Sequence, residues 1–292
     1  MRTITNLVFK GGGILGIAYA GALQDLAQRK ALNAVQKVAG TSAGAITAAL
    51  VSLRYTPAEI KKIVNSTDFK TFEDGNILVD LANLPTHYGY FKGDTFLLWM
   101  QNCILQKGLS PNATFADFKK AGCLELQVYA TDLTLMQTKK FSFDETPDTE
   151  VAHAVRASMS IPLFFEAWQF PNSKPDNHLY VDGGVLDNFP LNAFDTGGSS
   201  NPETLGLFLL DMQNTKPHPN FGYGHFLQYI HKLSGLILDV QSLEFENNSG
   251  AESRCILIDN LGISSTNFHI SQPEKDALFE SGRKHSADFF TT

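Results

Sequence analysis

Excess positive charge, paired cysteines, long apolar runs and low-complexity linkers are all missing from this chain, and each absence removes a class of function. Lys and Arg number 23 against 30 Asp and Glu, a formal net charge of -7. No basic surface is available to release counterions from nucleic acid, so nucleic acid is not expected as a partner. The three cysteines, Cys103, Cys123 and Cys255, are an odd number without CxxC spacing. That pattern fits reduced, buried thiols and gives no sign of a disulfide framework or a metal site. No stretch approaches the ~18 consecutive apolar residues of a membrane span, so a transmembrane protein is not expected. Arg2 and Lys10 do precede a small, apolar run from Ile14 to Leu23, with Ala18 and Ala20 at A-x-A spacing. Gly11, Gly12 and Gly13 occupy the start of that run, however, and Leu7 to Phe9 reads as a buried strand, so the segment is expected to be folded protein rather than a leader.

What is present has the composition of an ordinary globular chain: 292 residues, 43% hydrophobic and 18% charged. No linker or internal repeat divides it, and a single domain over 1–292 is expected, with a motif-bearing core at about 5–195 and a completing region at about 196–292. Thr5 to Lys10 reads as a strand, Gly11 to Gly16 as a loop, and Ile17, Ala20, Leu23 and Ala27 as one face of a helix. The unit then repeats, with a strand ending at Val38 and Ala39, a tight Gly40 to Gly44 turn, and an alanine-rich helix from Ala45 to Leu53. Capping boxes at Thr56 and Ser271 open two further helices. Asp94 is expected to cap a helix through about Gln106, Thr114 to Lys120 is a shorter helix, and Val151 to Met159 is a helix stopped by Pro162. Strands are expected at Leu124–Ala130, Phe141–Phe143, Leu179–Val181, Leu205–Leu210 and Cys255–Ile258, and a long helix at 226–245. The aromatic segment 76–91 is either a lid or core. Alternation of strands and helices predicts an α/β fold: a three-layer sandwich whose mostly parallel central sheet carries helices on both faces.

Three segments carry candidate chemistry. Gly40-Thr41-Ser42-Ala43-Gly44 lies between strand and helix, the context of a G-x-S-x-G nucleophile elbow, in which small residues allow a sharp turn that exposes the serine. The plainer reading is a serine capping a helix. Gly11-Gly12-Gly13-Ile14-Leu15-Gly16 presents backbone N–H groups at a helix start. A dinucleotide loop should be followed by an acid at the end of the second strand, but that strand runs into Gly40 and Ser42 instead. An oxyanion hole built from the N–H groups of Gly12 and Gly13 fits better. Asp182-Gly183-Gly184 ends a strand and leaves a carboxylate unobstructed. Asp182 could serve Ser42 directly, or through His225, His231 or His269 in a triad. Only two strands fit before Gly40, which favours the dyad. Asp132 is expected to bond nearby backbone N–H groups, and His87, within the aromatic segment, is the histidine that is the candidate for substrate contact. A non-enzymatic phosphate-binding module remains the alternative of another class.

In these three segments, and in their order, the chain resembles the patatin-like phospholipases, lipid acyl hydrolases that work with a Ser-Asp dyad. Ala130-Thr131-Asp132, Ala157-Ser158 with Pro162 and Phe165, and Asn188 with Pro190 add to the likeness, which covers about residues 5 to 195. The resemblance implies Ser42 as nucleophile, Asp182 as its activator, and Gly11, Gly12, Gly13 and Gly16 as the oxyanion loop, with no cofactor and no metal. It implies a phospholipid or other fatty acyl ester as substrate, contact with a lipid interface, and a cytoplasmic or host-delivered location. It leaves open a protein activator, and a soluble esterase or transacylase as the variant activity. Many relatives carry Arg or Lys where Leu15 stands, so the headgroup does not carry over from them.

Overall fold

The computed structural model describes residues 3–75, 86–212 and 252–291, together with the isolated residues Leu233 and Leu236. β1 (Asn6–Phe9) is buried along its whole length, as a central strand of a parallel sheet must be. It lies parallel to β2 (Lys37–Thr41) on one side and to β8 (Thr204–Leu210) on the other. β4 (Glu125–Asp132) adds parallel to β2, β9 (Cys255–Asp259) adds parallel to β8, and β5 (Gln137–Ser142) closes one edge antiparallel to β4. The order is β5-β4-β2-β1-β8-β9, a mostly parallel α/β sheet. β2 runs two residues beyond its expected end because pairing with β4 continues through Thr41 and Tyr129.

β4 outlasts its partner. Its residues up to Tyr129 pair with β2, and the overhanging Ala130 to Asp132 pair antiparallel with β7 (Tyr180–Asp182). Since β5 holds the opposite edge of β4, β2 and β7 meet end to end along the same edge. One strand stops at Thr41 and the other, arriving from the opposite direction, stops at Asp182.

Leu7, Phe9, Val38, Val128, Leu205 and Leu207 face one continuous core shared with α1 (Ile17–Gln28), α2 (Ala43–Ser52), α6 (Val151–Ser158) and α7 (Gln272–Phe289). On the other face Val8, Ala39 and Tyr129 pack with Phe189, Ala193 and Phe194, which belong to the chain between β7 and β8. The helix expected at 226–245 lies outside the described residues, apart from Leu233 and Leu236. Among the described residues no helix is long and apolar enough to cross a membrane. Cys103 and Cys255 are buried as expected, but Cys123 is only partly so.

Helix starts are well marked, and α3 (Pro57–Ser66), α5 (Phe115–Lys120) and α7 each open with a reciprocal capping box. α4 (Asp94–Gln106) departs from expectation. Its N-cap is Gly93, in the left-handed region at φ 73°, and Asp94 is already helical. Glycine brings no capping oxygen, so the carboxylate of Asp74 supplies it, accepting the N–H groups of Gly93 at 2.5 Å and Thr95 at 2.6 Å. At the far end of the 76–91 segment the core alternative holds. β3 (Gly89–Phe91) pairs with β6 (Leu163–Phe165), and Tyr90 and Phe91 are buried in the core rather than poised as a lid. Residues 76–85 lie outside the described residues.

Loss of the borrowed cap gives a direct check. Asp74→Ala is expected to lower unfolding free energy by about 1–2 kcal/mol and Asp94→Ala by less than half of that, read by urea denaturation. Equal effects would return the capping role to Asp94.

Candidate active site

Ser42 follows the last residue of β2 and precedes α2, so the chain reverses within one residue. It does so at φ 52° and ψ −124°, a region that costs a non-glycine residue about 1–3 kcal/mol. The turn closes only with glycine on either side: a Cβ on Gly44 would lie 2.2 Å from the Phe9 carbonyl oxygen, and one on Gly40 2.3 Å from the Gly44 carbonyl. The Ser42 side chain makes no capping hydrogen bond, which removes the helix-cap reading. Its backbone N–H donates instead to Ser158 Oγ at 2.8 Å, and the Ser158 hydroxyl donates to the Tyr129 carbonyl at 2.5 Å.

The glycine loop wraps the same sheet edge. Gly11 N–H donates to the Asn188 carbonyl (2.9 Å), Ile14 N–H to the Ser265 carbonyl (2.9 Å) and Leu15 N–H to the Gly12 carbonyl (3.1 Å). Among the described residues, the N–H groups of Gly12 and Gly13 have no acceptor. Gly13 has φ +53°, and a Cβ there would collide with the Ser265 carbonyl at 2.1 Å. A Cβ on Gly11 would reach Asn188 Oδ1 at 2.1 Å and Ser42 Cβ at 3.3 Å, which sets this loop directly against the serine. At Gly16 a Cβ would lie 3.0 Å from the Ala43 methyl, so the bare Cα lets that side chain approach closely. Leu15 is buried in the core.

Asp182 is fully buried at the end of β7. Its N–H donates to the Ser160 carbonyl at 2.8 Å, and its Oδ1 accepts the Gly184 N–H at 2.7 Å. Gly183 has no room for a side chain, since a Cβ would lie 2.4 Å from the Tyr129 carbonyl oxygen. Burial pushes the Asp182 carboxyl up to about 7, opposed by the Ser42 hydroxyl and the Gly184 N–H, which both favour the charged form. The serine is thus close enough to act on the carboxylate, yet Oδ2 has no completed hydrogen bond. Such contacts commonly tighten only when substrate is bound. Thr41 Oγ1 donates to the Asp187 carbonyl at 2.8 Å and ties the end of β2 to the chain beyond Asp182.

An apolar slot begins at Ser42. It runs along the α2 stripe Ala43, Ile46, Thr47 and Leu50 and is closed by Phe72, Trp99 and other side chains from α3, the 69–72 turn and α4. It encloses about 710 Å³ including its mouth, of which about 70 Å³ is wide enough for the centre of a water molecule. From Ala43 to Leu50 the stripe extends about 10 Å at helical rise. Sequence reasoning looks for an apolar surface at 76–91 and misses this one; its signal is the i, i+3, i+4, i+7 pattern that starts one residue after the serine. The other residues singled out lie apart from this chemistry. Asp132 accepts the Leu135 N–H at 3.0 Å, as expected, and also binds His178 Nδ1 at 2.7 Å. His269 is paired with Glu73 at 2.9 Å and His87 contacts Thr86, while His225 and His231 lie outside the described residues.

Known proteins share both the sequence and the fold. The chain is 30% identical over 297 residues to the Bacillus subtilis protein YqhO, covering 97% of this chain and 96% of that one. It is 29% identical to a protein named a probable lipid hydrolase from invertebrate iridescent virus 6, over 64% of this chain and 61% of that one. The crystal structure of VipD from Legionella pneumophila superposes with a TM-score of 0.69 at 16% identity, covering 99% of this chain and 67% of that one, a likeness of fold. The family model for patatin-like phospholipases matches residues 7–195, and the chain belongs to that family.

Proposed function

We propose that the protein hydrolyses fatty acyl esters of lipids, in the manner of a phospholipase A or lysophospholipase, with Ser42 as nucleophile and Asp182 as general base. The observation that carries this reading is a strained, uncapped serine set between a desolvated carboxylate and an apolar slot. Family membership and the relative named a probable lipid hydrolase support the substrate class.

In the first step Asp182 accepts the Ser42 Oγ proton as the oxygen attacks the ester carbonyl; the resulting tetrahedral oxyanion collapses to an acyl-enzyme as Asp182 passes that proton to the leaving alkoxide, which departs as the alcohol and leaves Asp182 ionised again. Water, deprotonated by Asp182, then attacks the acyl-enzyme and releases the fatty acid. The N–H groups of Gly12 and Gly13 are the loop donors left to meet the oxyanion, a contribution of about 3 kcal/mol per donor at comparable sites. Gly11 holds Asn188 and Gly16 spaces two helix starts, so the oxyanion role narrows to the middle of the loop. The acyl chain lies in the slot along α2.

Purified protein is expected to release fatty acid from phospholipid vesicles, with Ser42→Ala and Asp182→Asn each lowering kcat by at least about 10³-fold. Full activity in Asp182→Asn would remove the dyad. Because the base must be ionised, kcat/KM should rise with pH through about 7. The same shift sets the sign for stability. The native carboxyl is protonated between about pH 4 and 7 while the unfolded one is not, so stability falls as pH rises through that window. Asp182→Asn should therefore gain on the order of a few kcal/mol over wild type above pH 7 and match it below pH 4, as read by thermal unfolding. Filling the slot separates acyl binding from chemistry. Ile46→Phe should lower kcat/KM for a long-chain ester about tenfold or more while an acetyl ester changes less than about twofold, and equal losses would move the acyl chain elsewhere.

A further inference from the structure

The hairpin joining β4 to β5 ends in apolar side chains that face water. Leu133, Leu135 and Met136 are 42%, 54% and 84% exposed, on a tight turn where Asn, Asp or Gly is the usual choice. Met136 also holds a φ of 55°, in the left-handed region that disfavours a side chain of its kind. Solvation opposes all three residues at this position in water, and backbone conformation also opposes Met136.

The tip is held firmly from beneath. Leu133 N–H donates to the Leu179 carbonyl at 2.9 Å, Thr134 Oγ1 accepts the Leu179 N–H at 3.0 Å, and Asp132 Oδ1 accepts the Leu135 N–H at 3.0 Å. Asp132 is anchored in turn by His178 at 2.7 Å. Three polar groups of the turn, the Leu133 and Leu135 N–H and the Thr134 hydroxyl, are thus engaged with the protein, while its aliphatic side chains are left outward.

Its place relative to the catalytic end follows from register. Asp182 pairs with Ala130, and Leu133 stands three residues farther along β4, about 10 Å at strand rise. The tip therefore projects beyond the Ser42–Asp182 pair at the sheet edge where that pair lies. Leu186, 47% exposed, leaves the turn that follows Asp182 at the same edge. Lys139 and Lys140 follow on β5, at the base of the tip.

We infer that the β4–β5 tip is a membrane wedge, with Leu133, Leu135 and Met136 entering a lipid bilayer and bringing the catalytic edge to its surface. The role rests on the acyl hydrolase reading of the Ser42 site, although the docking itself is measurable without turnover. A bilayer suits the tip better than a protein partner does, because the tip is narrow, convex and aliphatic, whereas protein interfaces are broad and enriched in aromatic residues. Apolar groups that enter a bilayer interface to a depth of about 5–10 Å would set a site some 10 Å behind them at headgroup level.

The test uses the full chain carrying Ser42→Ala, so that vesicles stay intact, and mixed phosphatidylcholine–phosphatidylglycerol vesicles in a sedimentation assay. Adding Leu135→Gln and Met136→Gln should lower vesicle partitioning about tenfold or more, with the thermal midpoint kept. The indole introduced by Met136→Trp should be quenched by bromine-labelled acyl chains. In the Ser42-containing enzyme the double substitution should depress hydrolysis of vesicle lipid by a similar factor and leave a monomeric short-chain ester unaffected. Unchanged partitioning of the double variant, an unquenched indole in the Met136→Trp variant, or self-association abolished by the double variant without change in vesicle binding would each overturn the wedge. Wedge-dependent vesicle binding by a wild-type enzyme that hydrolyses neither substrate would instead sink the acyl hydrolase reading and leave the wedge standing.

Discussion

The end of the sheet that carries Ser42 and Asp182 depends on one topological constraint, the overhang of β4. A strand that extends three residues past its parallel neighbour leaves unpaired N–H and C=O groups, and those groups must find partners inside a folded protein. β7 supplies them from the opposite direction, and its last residue then faces the first residue beyond β2. Ser42 and Asp182, 140 positions apart in the chain, thereby meet without a long side chain having to bridge them. The proposed dyad therefore needs no third residue to connect its two members.

Burial at that junction has two opposed consequences. It raises the cost of a charge on Asp182 and so moves its carboxyl up to about 7, the range that the proposed base role requires. It also requires strong local support. The end of α6 provides it twice: Ser158 takes the Ser42 N–H, and the Ser160 carbonyl takes the Asp182 N–H. Arg156, wholly buried, donates to Ser160 Oγ at 2.5 Å, to the Lys92 carbonyl and to the Glu166 carbonyl, and packs over Trp168. One helix terminus thus positions both halves of the pair and ties them to β3 and β6. Removing these bonds would leave the strained Ser42 backbone without the contact that holds it.

Much of this is legible in the sequence because it is local. Glycine spacing around Ser42, the triple glycine after β1, and the capping boxes at Thr56 and Ser271 each report a conformation that a few adjacent residues decide. What stays hidden is non-local. Asp74 caps α4 from 19 residues upstream of Gly93, and no local pattern announces a borrowed cap. The end of β2 reads two residues too early because Gly40 and Thr41 look like turn residues until the β4 partner is known. The antiparallel approach of β7 cannot be read from three residues, since strand direction is set by what the sheet edge lacks. The apolar slot is present as a helical stripe in plain view, but an alanine-rich stripe reads as packing until the helices opposite it fail to fill the space.

The pairing of Ser42 with Asp182 is tested most directly by fluorophosphonate labelling of the intact protein, followed by peptide mass spectrometry, across pH and in Asp182→Asn. Labelling confined to Ser42, with a rate that climbs as one group ionises near pH 7 and collapses in the asparagine variant, is the expected result. Labelling of Ser42 at an unchanged rate in Asp182→Asn, or of a different serine, would contradict the dyad.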